Sequence, residues 1–342
     1  MSERPHLILV GGFLGAGKTT LILAAARLLA DRGLRSAIIL NDQGESLVDT
    51  ELARSSGFDA AEVTGGCFCC RFSELMRIAD QLRAHSPDVI FAEPVGSCTD
   101  LSATILQPIQ QAYGDVFQLA PLTVLVDPGR TRDNPDIGFL FEKQLEEADL
   151  ICFTKSDLYP DPPHGPNTRQ LSARTGQGVA AWLDEIMSGK LSGTILDIDY
   201  ARYAQAEAAL AWLNAEADLV CDPPLSPAML LGPFVDALDR ELTAAGIAIV
   251  HLKTLDHTST GSLKVALCAN GQEPSVEGSL DASPTGAHHL LLNLRASSVP
   301  GPVRALVERA LESLPGQVSG LRLQSFSPAA PKPERRIGST RA

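Results

Sequence analysis

The eight residues from Gly12 to Thr19 constrain the fold of this chain more than any other segment. They read Gly-Phe-Leu-Gly-Ala-Gly-Lys-Thr, the G-x-x-x-x-G-K-T pattern of a phosphate-binding loop. An apolar run at residues 7–10 precedes the loop, and an apolar stretch with helical spacing follows it to about residue 29. Such a loop requires a strand before it and a helix after it, because backbone N–H groups and the helix N-terminus must converge on the phosphates. We therefore predict an α/β domain that binds a nucleoside triphosphate.

The residue types in this loop predict specific contacts. The glycines allow the backbone to curl around the phosphates, Lys18 is expected to reach the β- and γ-phosphates, and the Thr19 hydroxyl is expected to ligate Mg²⁺. A chance glycine turn before a helix is the alternative, and the complete motif in its strand–helix context disfavours it. The predicted nucleotide-binding residues of the loop are Gly12, Gly15, Ala16, Gly17, Lys18, Thr19 and Thr20.

Four more short apolar runs follow, at residues 36–40, 88–92, 122–126 and 150–153. They are almost entirely apolar, which is typical of strands that are buried on both faces of a parallel sheet. The segments between them are amphipathic and would form the crossover helices. This order predicts a doubly wound α/β domain with a mainly parallel sheet.

The pattern changes in the C-terminal half of the chain. Helical patterns at residues 227–245 and 302–314 enclose strand-like segments at 247–255, 262–269 and 289–295, which predicts a smaller α+β domain. The predicted division is a nucleotide-binding domain at 1–190, a linker at 191–224, the α+β domain at 225–327 and a tail at 328–342. The tail is rich in Pro, Ala and Arg without periodicity, so we expect it to be disordered.

Thr154-Lys155-Ser156-Asp157 directly follows the run at 150–153 and predicts the base. A carboxylate there can accept hydrogen bonds from N1–H and the 2-amino group of guanine, a donor pair that adenine lacks, so Asp157 favours GTP. The motif is weak alone, and its first residue is usually Asn, so Thr154 departs from it. Ser172-Ala173-Arg174 downstream fits the loop that completes a guanine pocket. The predicted base-binding residues are Thr154, Lys155, Asp157, Ser172 and Ala173.

Two loops at strand ends are candidate sensors of the γ-phosphate. Residues 41–45, Asn-Asp-Gln-Gly-Glu, follow the second strand, and residues 93–96, Glu-Pro-Val-Gly, follow a later one. An acidic residue in such a position can hold Mg²⁺ or orient the attacking water. Lys18, Asp42 and Glu93 are therefore the candidate catalytic residues, with Thr19 and Glu93 as the Mg²⁺ ligands. A solvated loop acid is an equal alternative for Asp42.

Three of the seven cysteines, Cys67, Cys69 and Cys70, lie within four positions. Three thiolates, or two thiolates and a loop carboxylate, can bind an ion such as Zn²⁺ and leave an open or exchangeable coordination position, which suits an ion that must be released. Mutual repulsion predicts raised thiol pKa values, which a bound cation would reverse. Three buried structural thiols are the alternative. Cys98 is either a fourth ligand or a core residue.

Together these motifs resemble the CobW-type GTPases of the G3E group, which includes the hydrogenase and urease nickel-insertion GTPases. The resemblance covers about residues 7–183 and rests on the segments 12–20, 41–45, 65–70 and 93–96. It implies a P-loop GTPase fold, weak GTP hydrolysis, Zn²⁺ or Co²⁺ bound at Cys-x-Cys-Cys, and delivery of that metal to a client protein. The family loop usually reads Asn-Glu-Phe-Gly-Glu, so Glu45 is its retained carboxylate and a further candidate metal ligand.

The leading hypothesis is a GTP-driven metallochaperone with GTP, Mg²⁺ and a transition metal as ligands. A GTPase switch that remodels a cofactor enzyme, such as a corrinoid enzyme, and a nucleotide-bound metal buffer stay open. A net charge of −13 argues against nucleic acid or an anionic membrane as the main partner. The chain shows no signal-peptide pattern or membrane-length apolar run, so we expect a cytoplasmic protein. The metal, the client and a homodimer are left open.

Overall fold

The computed structural model describes residues 4–44, 48–130 and 134–338. Two compact units are present. The first comprises Met1–Gln43, Asp49–Ala206 and Ala330–Ala342, and the second comprises Gly44–Val48 and Glu207–Ala329.

An eight-stranded sheet forms the centre of the first unit. Its strands are β1 (His6–Gly12), β2 (Ser36–Asn41), β3 (Asp59–Val63), β4 (Val89–Glu93), β5 (Gln118–Leu119), β6 (Thr123–Val126), β7 (Leu150–Phe153) and β8 (Thr168–Gln170). The order is β3-β2-β4-β1-β6-β7-β8, with β5 also paired to β1, and every ladder is parallel. The order reverses at β1, between β4 and β6, which is where doubly wound sheets bind ligands at the carboxyl ends of the strands.

The helices of this unit are α1 (Lys18–Asp31), α2 (Val48–Ser55), α3 (Phe72–Arg83), α4 (Gln107–Tyr113), α5 (Pro135–Glu147), α6 (Val179–Ser188) and α7 (Tyr200–Ala208), and a π-helical turn (Ser102–Leu106) leads into α4. Strand residues such as Ile8 and Phe91 pack with Leu21 of α1 and Trp182 of α6 in one core. The Trp182 indole also donates to Thr123 Oγ1 at 3.1 Å, which satisfies its buried N–H. The predicted doubly wound domain is confirmed.

Sequence analysis located β2, β4, β6 and β7 within one residue at each end, but it missed β3, β8 and the two-residue strand β5. β3 and β8 lie at the edges of the sheet, and their residues are mostly partly exposed. A strand with one open side does not need the continuous apolar run that marks a central parallel strand. Apolar content alone therefore identifies only the interior of this sheet.

The second unit contains an antiparallel sheet and two helices. The strands are β9 (Leu210–Leu225), β10 (Ala248–Thr258), β11 (Gly261–Leu267), β12 (Ser275–Gly278), β13 (Thr285–Ser297) and β14 (Gln317–Phe326), in the order β12-β11-β10-β13-β9-β14. Helices α8 (Pro227–Ala244) and α9 (Pro300–Glu312) pack together with the sheet around one apolar core. The predicted smaller α+β domain is confirmed.

Two expected segments differ from the structure. The expected linker at 191–224 instead contains α7 and most of β9, which lies between β13 and β14 inside the sheet. Its burial alternates only in the second half of the strand, from about residue 216 to residue 222, and the exposed polar positions there resemble a linker in sequence. The expected disordered tail instead groups with the first unit at residues 330–338 and hydrogen-bonds to it there.

Among the described residues, no helix combines the length and the apolar character needed to cross a lipid bilayer.

Candidate nucleotide and metal site

The phosphate-binding loop connects β1 to α1 at the reversal point of the sheet, and its glycines are required by geometry. Gly12 has φ of 127°, and a Cβ there would lie 2.5 Å from the backbone oxygen of Leu125 in β6. Gly17 caps α1 with φ of 91°. Both conformations favour glycine strongly. The sequence thus places the loop backbone directly before the N-terminus of α1, where N–H groups point outward.

Lys18 and Glu93, two of the predicted catalytic residues, lie side by side in the structure. Lys18 Nζ is 3.8 Å from Glu93 Oε1 and 3.4 Å from the Phe13 carbonyl oxygen, and both side chains are largely buried. Thr19 is the second residue of α1 and is 5% exposed. A hydroxyl and a carboxylate supply the oxygen ligands that Mg²⁺ prefers, so Thr19 and Glu93 fit their predicted role.

The loop after β4 is pressed against the phosphate-binding loop. A Cβ on Gly96 would lie 2.8 Å from Leu14 Cδ2 and 3.0 Å from the Leu14 backbone nitrogen. Gln144 of α5 donates its amide to the carbonyl oxygens of Gly96 at 3.0 Å and Cys98 at 2.8 Å. The loop is therefore held from both sides. A displacement of the phosphate-binding loop would be expected to move residues 96–98 as well.

The predicted base-binding residues gather at the carboxyl ends of β7 and β8. Thr154 Oγ1 donates to the Ala16 carbonyl oxygen at 2.9 Å, so the unusual threonine still ties the base motif to the phosphate-binding loop. Asp157 Oδ2 is 3.3 Å from Arg174 Nε, and Arg174 is 78% exposed. Ser172 donates its N–H to the Gln177 carbonyl oxygen at 2.9 Å, which closes the loop that carries Ala173.

Asp127 is a site residue that sequence analysis missed. It follows β6 and is 6% exposed, and its carboxylate lies 2.6 Å from Nζ of Lys155, which has a φ of 56°. This partly buried ion pair fixes the direction of the lysine stem that was predicted to lie along the base. The available signal was the position of an aspartate immediately after an apolar strand.

The three clustered thiols converge on one point. The Sγ–Sγ distances are 2.9 Å for Cys67–Cys69, 3.1 Å for Cys67–Cys70 and 3.8 Å for Cys69–Cys70. Thiolates around a tetrahedral Zn²⁺, with Zn–S of about 2.3 Å, are about 3.8 Å apart, so a small expansion would admit the ion. In the part of the chain that the structure describes, this is the single group of three or more His, Cys, Asp or Glu side chains whose ligand atoms lie close enough to hold one metal ion.

Residues 65–70, here called the cysteine loop, are held by Asn41 at the end of β2. Its side-chain amide donates to the carbonyl oxygens of Val63 at 2.9 Å and Gly66 at 2.8 Å. Its carbonyl oxygen accepts the N–H of Phe68 at 2.7 Å. Asn41 is 8% exposed. The sequence marked Asn41 only as part of a sensor loop, and the structure shows that it positions the thiols.

The thiols share their protons unequally. Hydrogen bonds with Cys69, then Cys70 and then Cys98 lower the pKa of Cys67. The hydrogen bond to Cys67 is also the largest cause that raises the pKa of Cys69 and that of Cys70. The expectation of uniformly raised pKa values is therefore wrong for Cys67, because a thiolate can be stabilised by neighbouring S–H donors. A bound cation would displace the remaining protons.

Three further predicted site residues are Asp42, Cys98 and Glu45. Asp42 follows β2, and its N–H donates to the Val63 carbonyl oxygen at 3.3 Å. Cys98 is 2% exposed and contributes a hydrogen bond to Cys67, so it lies beside the cluster. Glu45 lies outside the described residues, so its role as a metal ligand stays a prediction.

The fold and this site define a P-loop nucleotide-binding protein that carries a thiol cluster in the same unit. Residues 6–177, half of the chain, match the CobW/HypB/UreG nucleotide-binding domain, and the chain belongs to that family. The family and the P-loop GTPase-like fold predicted from the motifs are thereby confirmed.

Several known proteins are similar to this chain. The zinc chaperone YeiR of Escherichia coli (strain K12) is 32% identical over 215 residues, which are 59% of this chain and 61% of YeiR. The zinc chaperone CobW of Pseudomonas aeruginosa is 29% identical over 251 residues, 63% of this chain and 61% of that protein. The crystal structure of HypB from Helicobacter pylori in complex with nickel has a TM-score of 0.40 and 15% identity over 53% of this chain and 85% of HypB. The chain thus spans about three fifths of the length of these two curated relatives.

Proposed function

We propose that this protein is a GTP-hydrolysing metallochaperone that holds Zn²⁺ or Co²⁺ at Cys67, Cys69 and Cys70 and delivers the ion to a client protein. The observation that carries this proposal is the tie between strand β2 and the cysteine loop. Asn41 makes three hydrogen bonds around that loop, and the predicted sensor Asp42 follows it directly. The segment that we propose responds to the γ-phosphate is therefore continuous with the residue that positions the thiols.

The hydrolysis step uses positioning and charge neutralisation. Lys18 neutralises negative charge on the β- and γ-phosphates. Thr19 and Glu93 would hold Mg²⁺, which would supply further positive charge. Asp42 orients a water molecule that attacks the γ-phosphorus. The bond to the β–γ bridging oxygen breaks, and GDP and phosphate leave. The proximity of Lys18 and Glu93, at 3.8 Å, supports this assignment.

Selection of guanine falls to Asp157. Its ion-pair partner, Arg174, is 78% exposed, and exposed ion pairs contribute little free energy. N1–H and the 2-amino group of guanine can therefore replace Arg174 as partners of the Asp157 carboxylate, with little loss of free energy. Thr154 and Lys155 then fix the base motif against the phosphate-binding loop and Asp127, respectively.

The thiols suit a cargo ion that is exchanged. Three thiolates leave one position of a tetrahedral ion for Cys98, for the loop carboxylate of Glu45 or for a ligand from the client. Thiolate ligands favour soft and borderline ions, and the two similar proteins named above are zinc chaperones. Zinc is therefore the first ion to test.

The decisive experiment measures GTP hydrolysis and metal binding together. Metal-free protein is titrated with Zn²⁺, Co²⁺ and Ni²⁺ at fixed Mg²⁺, with Cys67→Ser/Cys69→Ser/Cys70→Ser as the test variant and Cys268→Ser as the matched control. We expect one ion to bind tightly to the parent and the control, to change GTP turnover, and to bind the triple variant at least about a hundredfold more weakly. Equal metal affinity in the triple variant and the parent would refute the proposal.

The two alternatives give different results in the same experiment. A GTPase switch that remodels a cofactor enzyme predicts turnover that no ion changes. A metal buffer with structural nucleotide predicts turnover no faster than that of Lys18→Ala. The hydrogen bonds from Asn41 to the cysteine loop favour the metallochaperone, because neither alternative requires that connection.

A further inference from the structure

The last described residues of the chain run along the cysteine loop of the first unit. The N–H of Lys332 donates to Cys70 Sγ at 3.2 Å. The N–H of Glu334 donates to the Cys69 carbonyl oxygen at 2.9 Å, and that of Ile337 donates to the Ala103 carbonyl oxygen at 2.9 Å. These contacts are made by the backbone and follow one another along the chain, so the segment lies as a band across the surface.

Side chains fix the middle of this band on α3. The Glu334 carboxylate accepts from the N–H of Ser73 at 2.9 Å and from its hydroxyl at 2.6 Å. Ser73 is in the first turn of α3, where a negative charge is favoured by the helix dipole. The guanidinium of Arg335 lies 5.0 Å from the centre of the Phe72 ring, within the range of a cation–π contact. Two adjacent residues of α3 therefore receive two adjacent residues of the band.

Arg336 provides the strongest anchor. Its Nε lies 2.7 Å from Asp100 Oδ2, and the guanidinium also donates to the Leu196 carbonyl oxygen at 3.0 Å. The Asp100 side chain is 1% exposed and also accepts the Tyr200 hydroxyl at 2.6 Å. A charged hydrogen bond to a buried carboxylate is among the stronger polar contacts, and its loss leaves the carboxylate with less compensation for burial.

We propose that residues 330–338 form a strap that covers the cysteine loop and must lift before the thiols can exchange a ligand. The strap contacts the Cys70 thiol, which is partly buried, and the neighbouring Cys67 and Cys69 are 5% and 2% exposed. The strap itself is mostly exposed, including Lys332 and residues 334–336. Because it buries little apolar surface, polar contacts supply most of its attachment, and it can detach without unfolding the sheet.

The positions of the anchors connect the strap with both parts of the site. Its first contact is on Cys70, and its strongest is on Asp100, two residues after Cys98 and four after Gly96. Gly96 packs on Leu14 of the phosphate-binding loop. A movement of the loop after β4 would therefore shift Asp100, the anchor of the strap. Nucleotide binding could in this way change how accessible the thiols are.

The strap is compatible with a loaded thiol site. An N–H donor such as that of Lys332 stabilises a thiolate, and a thiolate that ligates a metal can still accept a hydrogen bond. That the exchanged ligand is a metal ion rests on the proposed function, whereas the covering of the thiols does not.

The test compares Arg336→Ala with Arg304→Ala, an arginine in an exposed helical ion pair with Glu308. Full-length, metal-free protein without nucleotide is treated with iodoacetamide, and alkylation of each cysteine is followed by peptide mass spectrometry. We expect Cys70 to react about tenfold faster in Arg336→Ala than in the parent or Arg304→Ala, while Cys268 reacts equally in all three. Equal rates at Cys70 in all three proteins would overturn the proposal.

A second measurement needs no variant. The amide hydrogens of Glu334 and Ile337 should exchange with deuterium more slowly than those of an unstructured peptide, because both donate to backbone carbonyl oxygens. Exchange at the unstructured rate in the parent would also overturn the strap. Both readouts use metal-free protein, so they test the strap independently of metal binding. If Cys70 alkylation and amide exchange give the expected results but the protein binds no metal, only the proposed function is refuted. If the protein binds metal but these readouts fail, only the strap is refuted.

Discussion

Replacing Glu147 by Gln should make the first unit more stable at alkaline pH. Glu147 is the last residue of α5 and is 1% exposed. Its carboxyl oxygens lie 3.1 Å from Thr99 Oγ1 and 3.1 Å from the N–H of Ser102. Burial raises its pKa from 4.5 to about 8. The group is therefore protonated in the folded protein at neutral pH and ionised in the unfolded chain.

The direction of the pH dependence follows from that difference. Between the two pKa values the unfolded state releases a proton that the folded state keeps, so the parent loses stability as the pH rises. Each unit of pH in this interval costs about 1.4 kcal/mol, and the loss between pH 6 and pH 8 is about 2 kcal/mol. A Gln side chain resembles the protonated carboxyl: its oxygen can accept from Ser102, and its amide can donate to the Thr99 hydroxyl. The variant has no proton to lose.

The assay is urea unfolding from pH 5 to pH 9, followed by tryptophan fluorescence. The chain has two tryptophans, Trp182 in the first unit and Trp212 in the second. A Trp212→Phe background in both proteins makes the signal report the first unit. We expect the stability of Glu147→Gln relative to its parent to rise by about 2 kcal/mol between pH 6 and pH 8. A difference that stays constant over this range would show that Glu147 ionises normally in the folded state.

Two further substitutions test the loops of the site. Asn41→Ala removes the side chain that holds the cysteine loop, so Zn²⁺ affinity, measured by competition with a chromophoric chelator, should fall at least about tenfold; unchanged affinity would show that the loop holds its own geometry. Gly96→Ala places a Cβ 2.8 Å from Leu14 Cδ2, so binding of a fluorescent GTP analogue should weaken about tenfold or more. Gly301→Ala, where a Cβ meets no atom within 4 Å, is its control, and equal affinities in both variants would contradict the argument.

The parts of the site that could be predicted are those fixed by neighbouring residues. Gly12 and Gly17 need positive φ, and Lys18 and Thr19 follow them in the chain, so the phosphate-binding loop is almost fully specified within eight positions. The thiols of the cysteine loop are likewise adjacent in sequence and cannot lie far apart. Central strands were found because burial on both faces demands an apolar run.

The parts that could not be predicted depend on residues that are distant in sequence. The partner of Lys155 is Asp127, and the anchor of Arg336 is Asp100, which is 236 positions away. The Pro-rich, charged tail has the composition of a disordered segment. Composition does not show that a buried carboxylate elsewhere in the chain pairs with a guanidinium of the tail. Pairings of this kind become visible only when the fold has brought both groups to the same edge of the sheet.

The contacts that join the nucleotide loops to the thiols are of one physical kind. Thr154 donates to the phosphate-binding loop, Gln144 to the loop after β4, and Asn41 to the cysteine loop, and in each case a buried side chain holds the backbone of a neighbouring loop. A buried hydrogen bond that is broken leaves its partner unsatisfied, which costs about 1–3 kcal/mol. Moving these loops together keeps the hydrogen bonds intact and therefore costs less free energy than moving them separately. A shift that nucleotide imposes on Leu14 and Gly96 is consequently expected to reach Cys98, and with it the thiol cluster, instead of being absorbed locally.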